Sequence, residues 1–337
     1  MDAVLIERWL GVGERTPIDD EASLSTARGA ALDLARSLRL PEPVVASLLL
    51  IVGELGSNQL RHARGGVIAL RGVEREGVAG VEVVAADQGG GLVDIGAALD
   101  GGPSEEGAIG LSGVQRYADE VDLDVRLGVG TCVWARLYAG RVSRRREVAI
   151  LGRNCAGERV SGDDATFERR EGLLVLALAD GLGHGPEAQE PARRAIAAVR
   201  ETPEAPLSEL LRQADSALRG TRGAVMGLVS IDESSGALVH AAVGNITTSV
   251  RGGQEGRSFI GGHGVLGSGS PRPPRVTEEG FELRQRDVVV LFSDGLRSRL
   301  ELDVARQLAS RHPLVVAQQL VERYARDNDD ATVIVAR

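Results

Sequence analysis

The chain has 337 residues, enough for two domains at roughly 100–200 residues each. It is 43% hydrophobic and 26% charged with a net charge of -9, which argues against a general attraction to nucleic acid or anionic lipid. All 39 basic residues are Arg, and without any Lys there can be no G-K-[ST] phosphate loop, no Schiff-base lysine and no strand lysine of an ordinary protein kinase.

The first ten residues are too short in apolar content for a signal peptide. Apolar spacing predicts a helix over 23–40, with Asp19, Asp20 and Ser23 as possible caps, and a second over 44–63 that Gly65-Gly66 stops. Strands are predicted at 67–73 and 80–87, followed by a Gly-rich loop from 89 to 107. A helix over 111–120 and two strands at 121–127 and 131–138, turning at Gly128–Gly130, complete an α+β pattern. Residues 139–146, AGRVSRRR, are basic and poor in apolar side chains and read as a linker. Beyond it, strands are predicted at 148–154, 173–179, 224–232, 237–244, 247–251, 276–284, 287–293 and 331–336. Helices are predicted at 186–200, 207–218, 303–311 and 314–325. Many strands in hairpins with helices between them suggest two sheets with helices packed outside. No uninterrupted apolar run approaches the 18 residues of a membrane span, and the chain reads as cytoplasmic. Cys132 and Cys155 have neither metal-type spacing nor a disulfide pattern.

Two constellations carry chemistry. Glu54, Asn58 and His62 recur every four residues in ELGSNQLRHA and so share one helix face. A carboxylate one turn before a carboxamide can activate a hydroxyl or water while the amide oxygen holds Mg²⁺, which suits phosphoryl transfer. Asp87, at the end of an apolar strand, can accept a hydrogen bond from an exocyclic amine such as that of adenine. In GAIGLSGVQR, Gly107, Gly110 and Gly113 mark a loop entering a helix, where backbone amides can hold phosphate without lysine.

The second constellation is acidic. An apolar strand followed by Asp and Gly occurs at Asp180 and Asp294, and Asp-Asp pairs stand at 163–164 and 329–330. Carboxylates at the ends of adjacent strands would converge. Two unit charges about 4 Å apart repel by roughly 4 kcal/mol at an effective dielectric near 20. Such a cluster calls for cations, and hard oxygen ligands select Mg²⁺ or Mn²⁺.

In their order, these motifs resemble two families. Residues 19–138 resemble the GHKL (Bergerat) ATPase fold, an α/β sandwich, and within it the serine/threonine kinases of bacterial sigma-factor and stressosome pathways, RsbT and RsbW. ELGSNQLRHA is similar to the N box, DQGGGL to the first glycine box, and GAIGLSGVQRYADEVDLDVRLGVGTCVWARL to the second box and closing strands. The resemblance implies Glu54 as catalytic base, Asn58 as Mg²⁺ ligand, and Asp87 as adenine contact. Gly89, Gly91, Gly107, Gly110, Gly113 and Thr131 would join the ATP pocket. The loop at 94–106 is short and lacks an obvious catalytic cation; Arg61 and Arg116 are the candidates.

VSGDDATF, ALADGLGHGPEA, the AVGN stretch, LFSDGL and DNDDATVIV resemble the SpoIIE/RsbX type of type-2C protein phosphatase, an α-β-β-α sandwich, over 147–337. By that resemblance Asp163, Asp180, Asp294 and Asp329 are ligands of two metal ions, with a backbone carbonyl from Gly181. Asp164 and Asp330 are the alternative members of their pairs. Metal-activated water is then the nucleophile, with His184 as acid or orienting group. No counterpart to the phosphate-binding Arg of eukaryotic relatives is evident; Arg153 and Arg159 are the nearest in sequence.

Together the two resemblances imply a switch protein acting on a STAS-type anti-anti-sigma or stressosome partner, or on a sigma factor. It would bind ATP with Mg²⁺ and phosphorylate a similar partner through the domain at 1–138, and hydrolyse phosphoserine or phosphothreonine in the domain at 147–337, across the linker at 139–146. The alternative is a phosphatase whose first domain is a non-catalytic, ATP-binding docking module.

Overall fold

The computed structural model describes residues 3–11, 13–63, 65–92, 95–100, 110–170, 172–252, 256–269, 274, 276–297 and 311–337. The helix expected at 303–311 and Gly107 therefore lie outside the described residues, apart from Arg311. The chain forms two compact units, Met1–Glu147 and Val148–Arg337.

The first unit begins with two elements that the apolar pattern does not announce, α1 (Ala3–Leu10) and β1 (Glu14–Ile18). α2 (Glu21–Ser37) starts at Asp20: its carboxylate accepts from the Ser23 amide at 2.8 Å, and the Ser23 hydroxyl accepts from the Asp20 amide at 3.0 Å. This capping box satisfies two amides that the first turn leaves without helical partners. α3 (Glu42–His62) follows, with Pro43 in its first turn, where a missing N–H costs nothing. α3 is long and apolar enough to cross a membrane by composition. In this fold it packs on α2 and the sheet. Gly56 lets it approach, since a β-carbon there would meet Leu24 and Ile68.

The sheet comprises β1, β2 (Gly66–Arg75), β3 (Val78–Asp87), β5 (Gly130–Tyr138) and β4 (Glu120–Arg126), in that order and all antiparallel. α4 (Ile95–Asp100) occupies part of the expected loop. α5 (Gly110–Tyr117) ends three residues earlier than predicted, because Glu120 already pairs with Arg136 in the sheet. Residues directly opposite in an antiparallel sheet share a face. One face carries Ile68, Leu70, Val83, Ala85, Val133 and Ala135. The other carries Arg71, Glu82, Arg136 and Glu120 side by side across four strands. The Arg136 guanidinium donates to Glu82 and to Asp122, each at 2.6 Å. Trp9 of α1 donates to Asp124 on that same face at 2.8 Å.

The segment expected as a linker is tied down within this unit. Ser143 accepts from Arg75 and bonds Glu76 through both its amide and its hydroxyl.

The second unit is two sheets with helices outside. One sheet runs β6 (Val148–Arg153), β15 (Ala331–Ala336), β14 (Val288–Phe292), β11 (Thr247–Arg251), β12 (Arg257–Ile260). The other runs β13 (Glu279–Glu282), β10 (Ala237–Val243), β9 (Ala224–Asp232), β8 (Leu173–Gly181), β7 (Asp163–Arg170). β8 shows why the layers form. Leu174, Leu176 and Leu178 face the other sheet, beside Val289, Leu291 and Ile334. Val175, Ala177 and Ala179 face α6 (Pro186–Glu201) and α7 (Leu207–Ala217). α8 (Pro313–Tyr324) packs against β6 and β15. β7 and β12 were not predicted, since DDATFERR and RSFI are too polar to read as strands. The strand expected at 276–284 shrinks to Glu279–Glu282, an edge strand that sends only Phe281 against the core and leaves both Glu side chains partly or fully exposed.

Candidate functional site

In the first unit, the C-terminal half of α3 brings three polar groups together. Glu54 is buried. The Arg61 guanidinium lies 3.7 Å from its carboxylate and donates to Asn58 Oδ1 at 3.0 Å. Gln59 points the other way and fastens the helix to the sheet, donating to the carbonyls of Val67 and Ala86 at 3.1 Å each. Asp87 and Thr131 are cross-strand partners at the ends of β3 and β5. Burial raises the Asp87 carboxyl above its ordinary range, while the Gly89 and Thr131 amides and His62 work against the rise. The Gly89 amide donates to Asp87 at 2.8 Å. Gly130 is required here: a β-carbon would run into the Asp87 carbonyl. Gly91 and Gly110 adopt positive φ, 76° and 63°, and Gly113 is buried in α5. Glu54, Asn58 and Arg61 thus form one group and Asp87, Gly89 and Thr131 another. Arg116 lies over the Tyr117 ring.

In the second unit the acidic side chains converge as strand ends dictate. β7 and β8 pair so that Asp163 lies directly opposite Asp180. Asp180 is pushed well up, first by burial and then by Asp163, Asp294 and Asp329, and it shares a hydrogen bond with Asp294. Burial pushes Asp163 up to about 7, against the Ser293 hydroxyl and with Asp330 adding to the rise. Burial and Asp294 raise Asp329 as well.

Hydrogen bonds separate the members of each pair. Asp330 is used up by the backbone: Oδ1 accepts from the Cys155 amide at 2.7 Å and Oδ2 from the Gly162 amide at 2.8 Å. That leaves Asp329 as the member facing Asp294 and Asp180. Asp164 turns back to its own strand, accepting from the Ala165 amide at 2.8 Å. Asp163 Oδ2 accepts from the Ser293 hydroxyl at 2.7 Å, and Asn245 donates to Asp294 Oδ2 at 2.7 Å. Ser293 and Asn245 were not singled out from sequence, although both lie in quoted strings, LFSDGL and AVGN. Asp163 Oδ1 is buried and accepts no hydrogen bond. The Thr332 hydroxyl nearby favours its charge without bonding it.

A buried carboxylate oxygen with no donor, among three more carboxylates, fits a divalent cation. Among the described residues, no three His, Cys, Asp or Glu side chains are already closed into a metal-binding group. The donor set is one of neighbours that repel, as suits Mg²⁺ or Mn²⁺ held by few carboxylates and several waters. Gly181 follows Asp180 where a β-carbon would strike the Ala188 backbone, so α6 can close over the strand end.

His184 is exposed and bonds Glu158 at 2.7 Å through Nδ1. Arg153 engages Asp327 and the Arg326 carbonyl.

The family description "Histidine kinase-like ATPase domain" matches residues 18–137, and "Stage II sporulation protein E (SpoIIE)" matches residues 170–337. The serine/threonine-protein kinase RsbT of Bacillus subtilis (strain 168) is 32% identical over 117 residues, 34% of this chain and 88% of RsbT. The chain belongs to the RsbT kinase family through its first domain and carries a SpoIIE phosphatase domain as its second. A solved structure of the bacterial stressosome, described as a modular system adapted to control secondary messenger signalling, is 32% identical. It covers 58% of this chain and 100% of its own, with a TM-score of 0.52. A crystal structure of RsbX in complex with magnesium covers 58% of this chain and 96% of its own at 20% identity and a TM-score of 0.51, a likeness of fold. The molecule is thus an enzyme of the type-2C protein phosphatase class joined to a kinase-type ATPase domain.

Proposed function

We propose that this protein is a cytoplasmic signalling switch that removes phosphate from phosphoserine or phosphothreonine on a STAS-type anti-anti-sigma or stressosome partner. The domain at 147–337 carries the phosphatase, and the domain at 1–138 binds ATP with Mg²⁺ and phosphorylates a similar partner, with 139–146 between them. The convergence of Asp163, Asp180, Asp294 and Asp329 on β7, β8 and the ends of β14 and β15 carries the phosphatase reading. Those four carboxylates and the Gly181 carbonyl would hold two Mg²⁺ or Mn²⁺ ions. Bound there, the ions supply Lewis acidity and an activated water. Ser293 and the Asn245 amide orient Asp163 and Asp294 toward them. Asp330 fixes the loop at 155–162 against the site instead.

In the first domain, buried Glu54 is placed to take a proton from a serine or threonine hydroxyl, and Asn58 to hold Mg²⁺. A second reading makes this domain a docking module for a STAS protein or sigma factor that binds ATP without turnover. It is favoured by the Arg61 guanidinium, which already engages Asn58 Oδ1, the atom that Mg²⁺ would need.

The deciding experiment incubates the full chain with a phosphorylated STAS-domain protein and Mn²⁺. Phosphate release that Asp294→Asn abolishes supports the phosphatase reading, and no release from the wild type overturns it.

A further inference from the structure

A phosphate dianion arriving beside the metal-holding carboxylates is positioned best by a fixed cation at the mouth of the site. Arg222 meets that need. It lies between α7 and β9, in a segment locked onto the loop that follows Asp180. The Leu182 amide donates to the Gly223 carbonyl at 3.1 Å, and Gly181 pairs with Ala224 across the β8–β9 ladder. Asp180 pairs with Val225, three residues from Arg222. The Arg222 Nη1 atom stands 3.4 Å from where a β-carbon on Gly183 would be, so the guanidinium lies across the DGLGHG loop. Its Nη2 forms an ion pair with Glu187 in the first turn of α6, and the side chain remains 54% exposed. The neighbouring Leu182 is 41% exposed, so this loop is open to solvent.

We infer that Arg222 receives the phosphoryl group of the phosphorylated substrate, with Glu187 as the carboxylate that the phosphate displaces. This rests on the phosphatase reading. The guanidinium fork matches two phosphate oxygens at once, a geometry an ammonium does not offer. Glu187 holds the fork over the loop before substrate arrives and competes with phosphate for it.

The test uses the full chain with Mn²⁺. Isothermal titration of inorganic phosphate measures the site without turnover, and hydrolysis of a phosphoserine peptide measures it in action. Arg222→Met weakens phosphate binding and raises the peptide KM by about ten- to a hundred-fold, with a smaller change in kcat, and Arg222→Lys restores part of the loss. Glu187→Gln shifts both constants the opposite way. An Arg222→Met protein that folds with wild-type Tm and binds phosphate within two-fold of wild type overturns the assignment. If the wild-type chain releases no phosphate from any phosphopeptide, the phosphatase reading falls, and the phosphate titration still decides whether Arg222 binds the anion.

Discussion

Asp163 and Asp180 are direct cross-strand partners, so the register of the β7–β8 hairpin places two carboxylates side by side. Like charges directly opposite destabilise a ladder. Asp180→Asn therefore raises the Tm of the metal-free protein by a few degrees, about 1–2 kcal/mol, while removing Mn²⁺-dependent phosphate release. Thermal melts with and without Mn²⁺ check both halves; a lower metal-free Tm contradicts the repulsion.

In the first domain, Glu54→Ala lowers phosphorylation of a STAS partner by about 10²–10⁴-fold and leaves ATP binding within a few-fold of wild type. Equilibrium ATP binding and radiolabel transfer separate the two. Unchanged transfer returns the domain to a docking role.

The Arg71–Glu82–Arg136–Glu120 row depends on each charge being answered. Burial works to lower the Arg136 guanidinium pKa, but Glu82, Asp122 and Glu120 outweigh it and push it up. Arg136→Leu leaves those buried carboxylates short of a partner and costs about 3–5 kcal/mol in urea unfolding of the first domain. A loss below about 1 kcal/mol would show that water or neighbouring Arg residues answer them instead.

His240 on β10 is buried 5.2 Å from the Phe259 ring, and neither ring nitrogen has a hydrogen-bond partner. Burial pushes its imidazole from 6.5 down to about 4, with Glu279 opposing the shift. The unfolded chain thus binds a proton between pH 6.5 and 4 that the fold refuses. The neutral ring's contribution is complete above pH 6.5 and is lost as pH falls toward 4, by roughly 3 kcal/mol at most. His240→Leu flattens that acid limb of the stability profile, measured by denaturant titration from pH 7 to 4.

By itself the sequence determined most elements and both chemistries. The sequence pattern placed β9, β11 and β15 to the residue; β9 and β15 are buried on both faces along most of their length and read as apolar runs. The Asp-Gly strand ends and the Glu54–Asn58 spacing marked the candidate site residues for a similar reason. A carboxylate closing a buried strand, or repeating on one helix face, is visible without neighbours.

Other features exist only once strands pair. β7 reads as a polar loop, yet it is the strand that sets Asp163 beside Asp180. The charged row in the first domain comes from four strands, each contributing one residue. That two backbone amides from the loop at 155–162 fill Asp330 is visible only in the fold, and Arg222 gained its place from one hydrogen bond between distant loops. Local pattern records what each segment buries, whereas charge pairing across long separations is settled by register, which no single segment encodes.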